Sequence, residues 1–400
     1  MCAASDDEGS IVPWRSATLH VILASSLMGV MGVSLISPIL PELRTVFEVS
    51  DAQIGLVITV YTLPGVFLTP FIGLIADRIG RRRVIIPLLF VFGFGGAGIA
   101  FARSFDAVLA LRFLQGVGAS ALVTLAVTLI GDLYEGTRRN AIMGVNASTV
   151  STGAALYPLI GGGLAGIRWN FPFLFFGIGV LVALVATFVL PEPESDDSSD
   201  VRSYVRGLSD VVTSPRAIAI FGAIFVVFFV FYGAVQTALP LLLNDEFSLS
   251  SSEIGLTLAM VALASALVSS QYGRFSEWRS APKLIALGFI AYGCSLLGVW
   301  IAPSPVFVGA SLLAFGVGFG LVMPSIDTAI ITAVSDQLRA GMMGMRTSVL
   351  RLGQTLGPIA FTLIAETAFP TPAAGYRVLL VVCGIGILTT GAIAYPLVGN

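Results

Sequence analysis

The sequence predicts an all-α membrane protein with twelve transmembrane helices in two pseudo-symmetric six-helix bundles. Three observations predict it. Of 400 residues, 56% are hydrophobic and only 11% charged, against roughly 25% charged in ordinary globular proteins, so a soluble fold could not cover itself with polar surface. The apolar runs are long and continuous. The second half of the chain repeats the first at an offset of 200 residues.

The spans come first. A helix needs about 20 apolar residues to cross the hydrocarbon, and only helices and closed barrels can cross it. Barrel strands would alternate apolar and polar over about 10 residues, and these runs do not alternate. Between charged or Pro/Gly-rich breaks, twelve spans are predicted at about 17–40, 54–76, 84–102, 107–131, 141–165, 171–190, 217–243, 254–272, 283–302, 306–334, 342–366 and 376–397. They divide the chain into a tail (1–16), a first bundle (17–190), a linker (191–216) and a second bundle (217–397). The acidic, serine-rich start of the linker is expected to be flexible, and SYVRGLSDVV reads either as a short amphipathic helix at the surface or as plain linker.

Orientation follows from Lys and Arg, which accumulate in cytoplasmic loops. With the N-terminus inside, the cytoplasmic segments hold fourteen and the outer loops four (Arg44, Arg103, Arg168 and Arg377). Arg112, Arg346 and Arg351 remain within spans. Both termini are therefore expected in the cytoplasm, with the protein in the cell membrane.

The scarce residues exclude several functions. A formal net charge of -2 gives no footprint for nucleic acid. His20 is the only histidine, and Cys2, Cys294 and Cys383 are far apart with no CxxC, so no metal, cofactor or disulfide framework is expected. Asp6, Asp7 and Glu8 stand where a secretory signal would be basic. Gly93-x-Gly95-x-x-Gly98 and Gly161-x-Gly163-x-x-Gly166 match a dinucleotide fingerprint, but neither follows a strand, so both read as packing surfaces. Asn146-Ala147-Ser148 fits a glycosylation sequon but lies inside a span. Lys283 is the only lysine, a usage that suits a halophilic archaeon or a high-GC bacterium.

The internal repeat carries functional weight. Gly116-Val117-Gly118 matches Gly316-Val317-Gly318, and Gly144, Gly153 and Pro158 match Gly344, Gly353 and Pro358. Two halves of the same topology are related by an axis along the membrane normal, and such repeats place a substrate site at their interface near mid-membrane. This favours a transporter over a membrane enzyme.

The loop after span two reads Gly73-Leu-Ile-Ala-Asp77-Arg78-Ile-Gly80-Arg81-Arg82-Arg83. It resembles the signature between helices two and three of the major facilitator superfamily. That resemblance implies a gate, with Asp77 approaching the start of helix eleven, where free N–H groups favour an anion, and Arg81 pairing with Asp132. The second-half copy (Gly273, Glu277, Arg279) is degenerate, which implies an asymmetric latch. Leu111-Arg112-Phe-Leu-Gln115-Gly116-Val-Gly118 resembles the family's second motif, centred on a membrane arginine. Arg112 lies six residues beyond Asp106, about 9 Å into the membrane by helical rise. It is expected either to snorkel outward or to face a cavity and couple to protons or substrate charge. Gly144-x8-Gly153-x3-Tyr157-Pro158-x2-Gly161-Gly162 looks like the motif of the drug–proton antiporter branch, with Tyr157 in place of a glycine. Its twin keeps Gly353, Gly357 and Pro358.

Asp327 is the one acid well inside a span, about 13 Å deep, and Arg351 is about 18 Å deep. Adjacent spans ten and eleven could pair the two, as a structural bridge or a protonatable switch. Helix one carries no acid between His20 and Pro41; His20 reads as interfacial, and Glu366 as solvated at the outer end of span eleven. The polar cavity candidates are Gln115, Asn146, Tyr232, Gln236, Asp327, Arg351 and Gln354, and spans one and seven share Leu40-Pro41 and Leu239-Pro240. So sparse a polar set suits amphipathic compounds better than sugars. The expected protein is a monomeric transporter, partnered by lipid, protons and a small-molecule substrate, that exports amphipathic compounds in exchange for protons. Uptake of an organic anion bound by Arg112 or Arg351, and a non-transporting sensor, are the alternatives.

Overall fold

The computed structural model describes residues 11–192, 215–333 and 336–399, and no strand occurs among them. The first bundle comprises α1 (Ala17–Val46), α2 (Asp51–Ile79), α3 (Arg81–Gly98), α4 (Phe105–Leu133), α5 (Gly136–Ala165) and α6 (Phe171–Val189). The second comprises α7 (Ala217–Phe247), α8 (Ser251–Ser270), α9 (Ala281–Trp300), α10 (Pro305–Ala333), α11 (Asp336–Ala368) and α12 (Pro372–Gly399). A short helix, Tyr272–Trp278, which the sequence reading did not anticipate, sits between α8 and α9. Eleven of the twelve are long and apolar enough to cross a membrane. The exception is α5, which has 30 residues but carries Asn146, Ser148, Thr149, Ser151 and Thr152 along its middle. The linker with its expected surface helix and the acidic N-terminal tail lie outside the described residues.

The repeat in the sequence is a repeat in packing. Ser50 and Gln53 form a reciprocal capping box at the start of α2, and Ser250 and Glu253 form the same box at the start of α8. A Cβ on Gly118 of α4 would stand 2.7 Å from the Leu88 carbonyl of α3, and one on Gly318 of α10 would stand 2.7 Å from the Gly288 carbonyl of α9. Every position in that comparison differs by 200. The small residues therefore let matching helix pairs approach backbone to backbone in both bundles.

The bundles meet along α2–α11, α5–α8 and α1–α7. Gly55 of α2 leaves room only for Thr362 of α11, while Gly255 of α8 abuts Pro158 and Gly162 of α5. Positions 55 and 362 correspond to 255 and 162, so the interface itself obeys the pseudo-twofold axis.

Pro240 explains one local irregularity. It has no N–H to return along α7, and the carbonyl of Gln236, four residues earlier, accepts the Ser37 hydroxyl of α1 instead (2.6 Å). The preceding turns, Phe231–Ala238, are wound as a π-helix, a form that recurs at functional sites.

Candidate functional site

A cavity of about 410 Å³ lies between the two bundles, lined from α1, α4, α5, α7, α8, α10 and α11. The π-helical turns bring Phe231, Tyr232, Val235 and Gln236 onto its wall together. Phe231 packs on Phe319 of α10 (5.3 Å between ring centres) and on Tyr232 (5.5 Å), and Phe228 packs on Phe319 (5.9 Å). Beside this aromatic wall, α11 contributes Arg346, Thr347, Leu350, Arg351 and Gln354. The four expected cavity residues Tyr232, Gln236, Arg351 and Gln354 are thus on the lining. A larger groove, about 700 Å³, runs past Trp14 between α1 and α5. It belongs to one bundle and carries no charged side chain, so the shared cavity is the candidate site.

Three expected cavity residues, Asp327, Asn146 and Gln115, lie elsewhere. Asn146 is buried on α5 one helical turn before the lining residue Val150, beyond the rim. Gln115 sits on the face of α4 that packs against Gly95 and Gly96 of α3, and its Oε1 accepts from Arg112 (2.8 Å).

Arg112 neither snorkels nor lines the cavity. It is completely buried. Its Nε donates to the Val57 carbonyl (3.0 Å) and an Nη to the Gly32 carbonyl (2.9 Å), while its guanidinium lies 4.4 Å from the centre of the Tyr61 ring. Carbonyls on α1 and α2 thus solvate it, so it has no need to reach the interface.

The expected pairing of Asp327 with Arg351 is replaced by another. Asp327 meets Arg346, with Nε 2.5 Å from Oδ1 and Nη2 donating to Oδ2 at 3.3 Å. Helical rise gives the reason. Asp327 is nine residues before Asp336 and Arg346 ten after it, about 13 and 15 Å from that common end, whereas Arg351 is about 22 Å away. Arg351 instead donates to Gln354 Oε1 (3.2 Å).

The ends of the interface differ. One face, where α1 joins α2 and α7 joins α8, is closed by a network that sequence reasoning missed. Arg44 of α1 reaches Asp51 at the start of α2 (2.7 Å) and also Asp245 of α7. The Tyr376 hydroxyl of α12 donates to the same Asp51 (2.7 Å). Glu42 accepts from the Ser251 hydroxyl (3.1 Å). Glu366 is not simply solvated, because it accepts the Ala52 N–H across the interface (2.6 Å), at a helix start whose free N–H groups attract anions. Arg377 pairs with Glu246 beside this network. The available signal was a cluster of opposite charges at adjoining span ends.

At the opposite face the motif residues stay within their own bundle. Asp77 contacts Arg81 (2.9 Å), and Arg81 Nε lies 3.0 Å from Asp132. Asp77 is half-exposed, with no partner in the second bundle among the described residues. Gly80 has φ +105°, a conformation that favours glycine. Glu192 covers Gly80 and accepts the Arg82 N–H at the start of α3 (3.2 Å). Gly73 faces open space, and Arg78 is exposed. His20 is exposed too, its ring bonded to the Ser16 carbonyl (2.9 Å).

The α5 motif has mixed uses. A Cβ on Gly161 or Gly162 would collide with the backbone of Leu35 or Ser251, and one on Gly153 would press Leu27 (2.6 Å). Tyr157, in place of a glycine, lines the α1–α5 groove, and Gly144 faces that groove's open space. In α11, Gly353 and Gly357 let α7 approach at Phe225 and Phe229, while Pro358 sits within the continuous helix as Pro158 does in α5.

The family model of the Major Facilitator Superfamily matches residues 22–241 and 224–398. A bacillibactin exporter of Bacillus subtilis (strain 168) is 27% identical over 366 residues, covering 87% of this chain and 90% of its own. The class E tetracycline resistance protein of Escherichia coli is 26% identical, covering 87% of each. Among solved structures, an inward-facing bacterial homologue of the human lysosomal transporter Spinster has a TM-score of 0.81 at 18% identity, with 98% of both chains covered; at that identity the likeness is one of fold. The chain, a multi-pass membrane transporter and not an enzyme, belongs to the Major Facilitator Superfamily.

Proposed function

We propose that the protein exports small amphipathic compounds from the cytoplasm in exchange for protons, by alternating access across the cell membrane. The observation that carries this reading is a cavity shared by both bundles, with the ion pair between them, among the described residues, only at the Arg44 face. The charge distribution puts that face outside, fourteen Lys and Arg to four, so the cavity opens toward the cytoplasm. Export then requires the Arg44 network to part while Asp77 swings to the start of α11. The names of the relatives, an exporter and a resistance protein, agree with the direction.

Asp327, paired with the cavity-lining Arg346, is the proposed proton carrier. Protonation would release Arg346, and helix movement would return it. The test uses proteoliposomes with an imposed pH gradient and tetracycline, chloramphenicol and norfloxacin as probes. Export by exchange predicts that a transported probe dissipates the gradient. Probe uptake accompanied by protons moving the same way would replace exchange with symport. Asp327→Asn should transport without responding to the gradient, and an unchanged response would remove the residue from coupling.

A further inference from the structure

Among the described residues, the membrane interior around the cavity holds three guanidinium groups and one carboxylate: Arg112, Arg346, Arg351 and Asp327. The other described acids lie at helix ends or in loops. Arg112 is enclosed, with carbonyls, Gln115 and the Tyr61 ring around it. Asp327 neutralises Arg346. Arg351 has one side-chain bond, to the Gln354 amide, and no carboxylate partner among the described residues, and no carboxylate lines the cavity.

We propose that the cavity selects amphipathic compounds bearing a single negative charge, received by Arg351, with the apolar body held against Phe228, Phe231, Phe319 and Tyr232. The inference rests on reading this cavity as the transport site. A cleft lined by one sign of charge with low-dielectric walls concentrates the opposite charge, and a guanidinium with donors to spare gives a carboxylate charge-assisted, potentially paired hydrogen bonds. Cationic amphiphiles would meet two guanidinium groups and no lining acid. The charge receptor and the aromatic wall both belong to α7, α10 and α11, so the ligand is anchored on the second bundle.

The test is binding to full-length protein in lipid nanodiscs, measured by equilibrium dialysis with three ligands of one shape: 1-naphthylacetate, 1-naphthylacetamide and 1-naphthylethylamine. The carboxylate should bind about tenfold more tightly than the amide, the scale of one charge-assisted bond, and the amine should bind weakest. Arg351→Gln should erase the gap between carboxylate and amide, and Arg351→Lys should keep most of it. Equal binding of the three, preference for the amine, an unchanged order in Arg351→Gln that elutes as folded protein, or no binding above empty nanodiscs would each overturn the proposal. Counterflow in proteoliposomes separates the two readings. A charge ranking without transport of any ligand keeps this inference and removes the transport reading; transport led by the amine does the reverse.

Discussion

Arg112 and Arg351 look alike on the page. Each lies within a span, each is followed three residues later by a glutamine, and each donates to that glutamine (2.8 and 3.2 Å). Their surroundings separate them. Arg112 gives two further donors to backbone carbonyls and stacks on Tyr61, which ties α1, α2 and α4 together. Arg351 stands on a cavity wall with Gln354 as its one side-chain partner. Residue type is the same and both lie within spans, so the number of donors already used distinguishes a structural tie from a receptor.

That contrast breaks most decisively at Arg112. Arg112→Leu removes the guanidinium donor from the Val57 and Gly32 carbonyls and from Gln115 Oε1 in a fully buried site. It should cost about 3–5 kcal/mol, the scale for dismantling a buried charged network, read as a large fall in thermal stability of the detergent-solubilised protein. Wild-type stability would mean that those carbonyls have other partners. Asp327→Asn should cost less, about 1–3 kcal/mol for a charged hydrogen bond, because the Asp327 side chain is only partly buried. The same unfolding measurement checks it.

Arg44 extends the comparison to a guanidinium shared between bundles. Arg44→Ala should cost about 1 kcal/mol, near the upper range for exposed pairs, yet open the sealed face. A cysteine replacing the cavity residue Ser34, in a chain whose native cysteines are serine, should then react several-fold faster with a membrane-impermeant thiol reagent added at that face. Unchanged labelling would mean that the helix packing alone seals it. The smallest stability effect belongs to Arg351→Gln, less than about 0.5 kcal/mol in line with positions free of buried networks; a larger loss would make Arg351 a structural tie like Arg112.

Much of the architecture was readable before any coordinates. Span positions follow from apolar runs, and the helices overshoot several predicted bounds because charged ends such as Asp77–Ile79 continue the helix past the apolar stretch. Among cavity residues, Tyr232, Gln236, Arg351 and Gln354 were legible as polar groups in apolar spans. Asn146 and Gln115 carried the same signal but lie off the cavity, one along its own helix and the other on a different face. The π-helical turns left no pattern in the sequence beyond Pro240. The Arg44 network left only a cluster of opposite charges at span ends, and its pairing could not be read because its members come from four helices.

By itself the sequence determined the membrane environment, the count of spans, the twofold repeat and the close-packing glycines, since each depends on composition or on spacing along one helix. The tertiary structure alone decided that Asp327 meets Arg346, that Arg112 is sealed away while Arg351 is not, and that the bundles are bonded shut at one face. Those choices depend on how far neighbouring helices slide and rotate against each other. Close backbone contacts such as Gly55 with Thr362 and Gly255 with Pro158 set that register between segments distant in the chain.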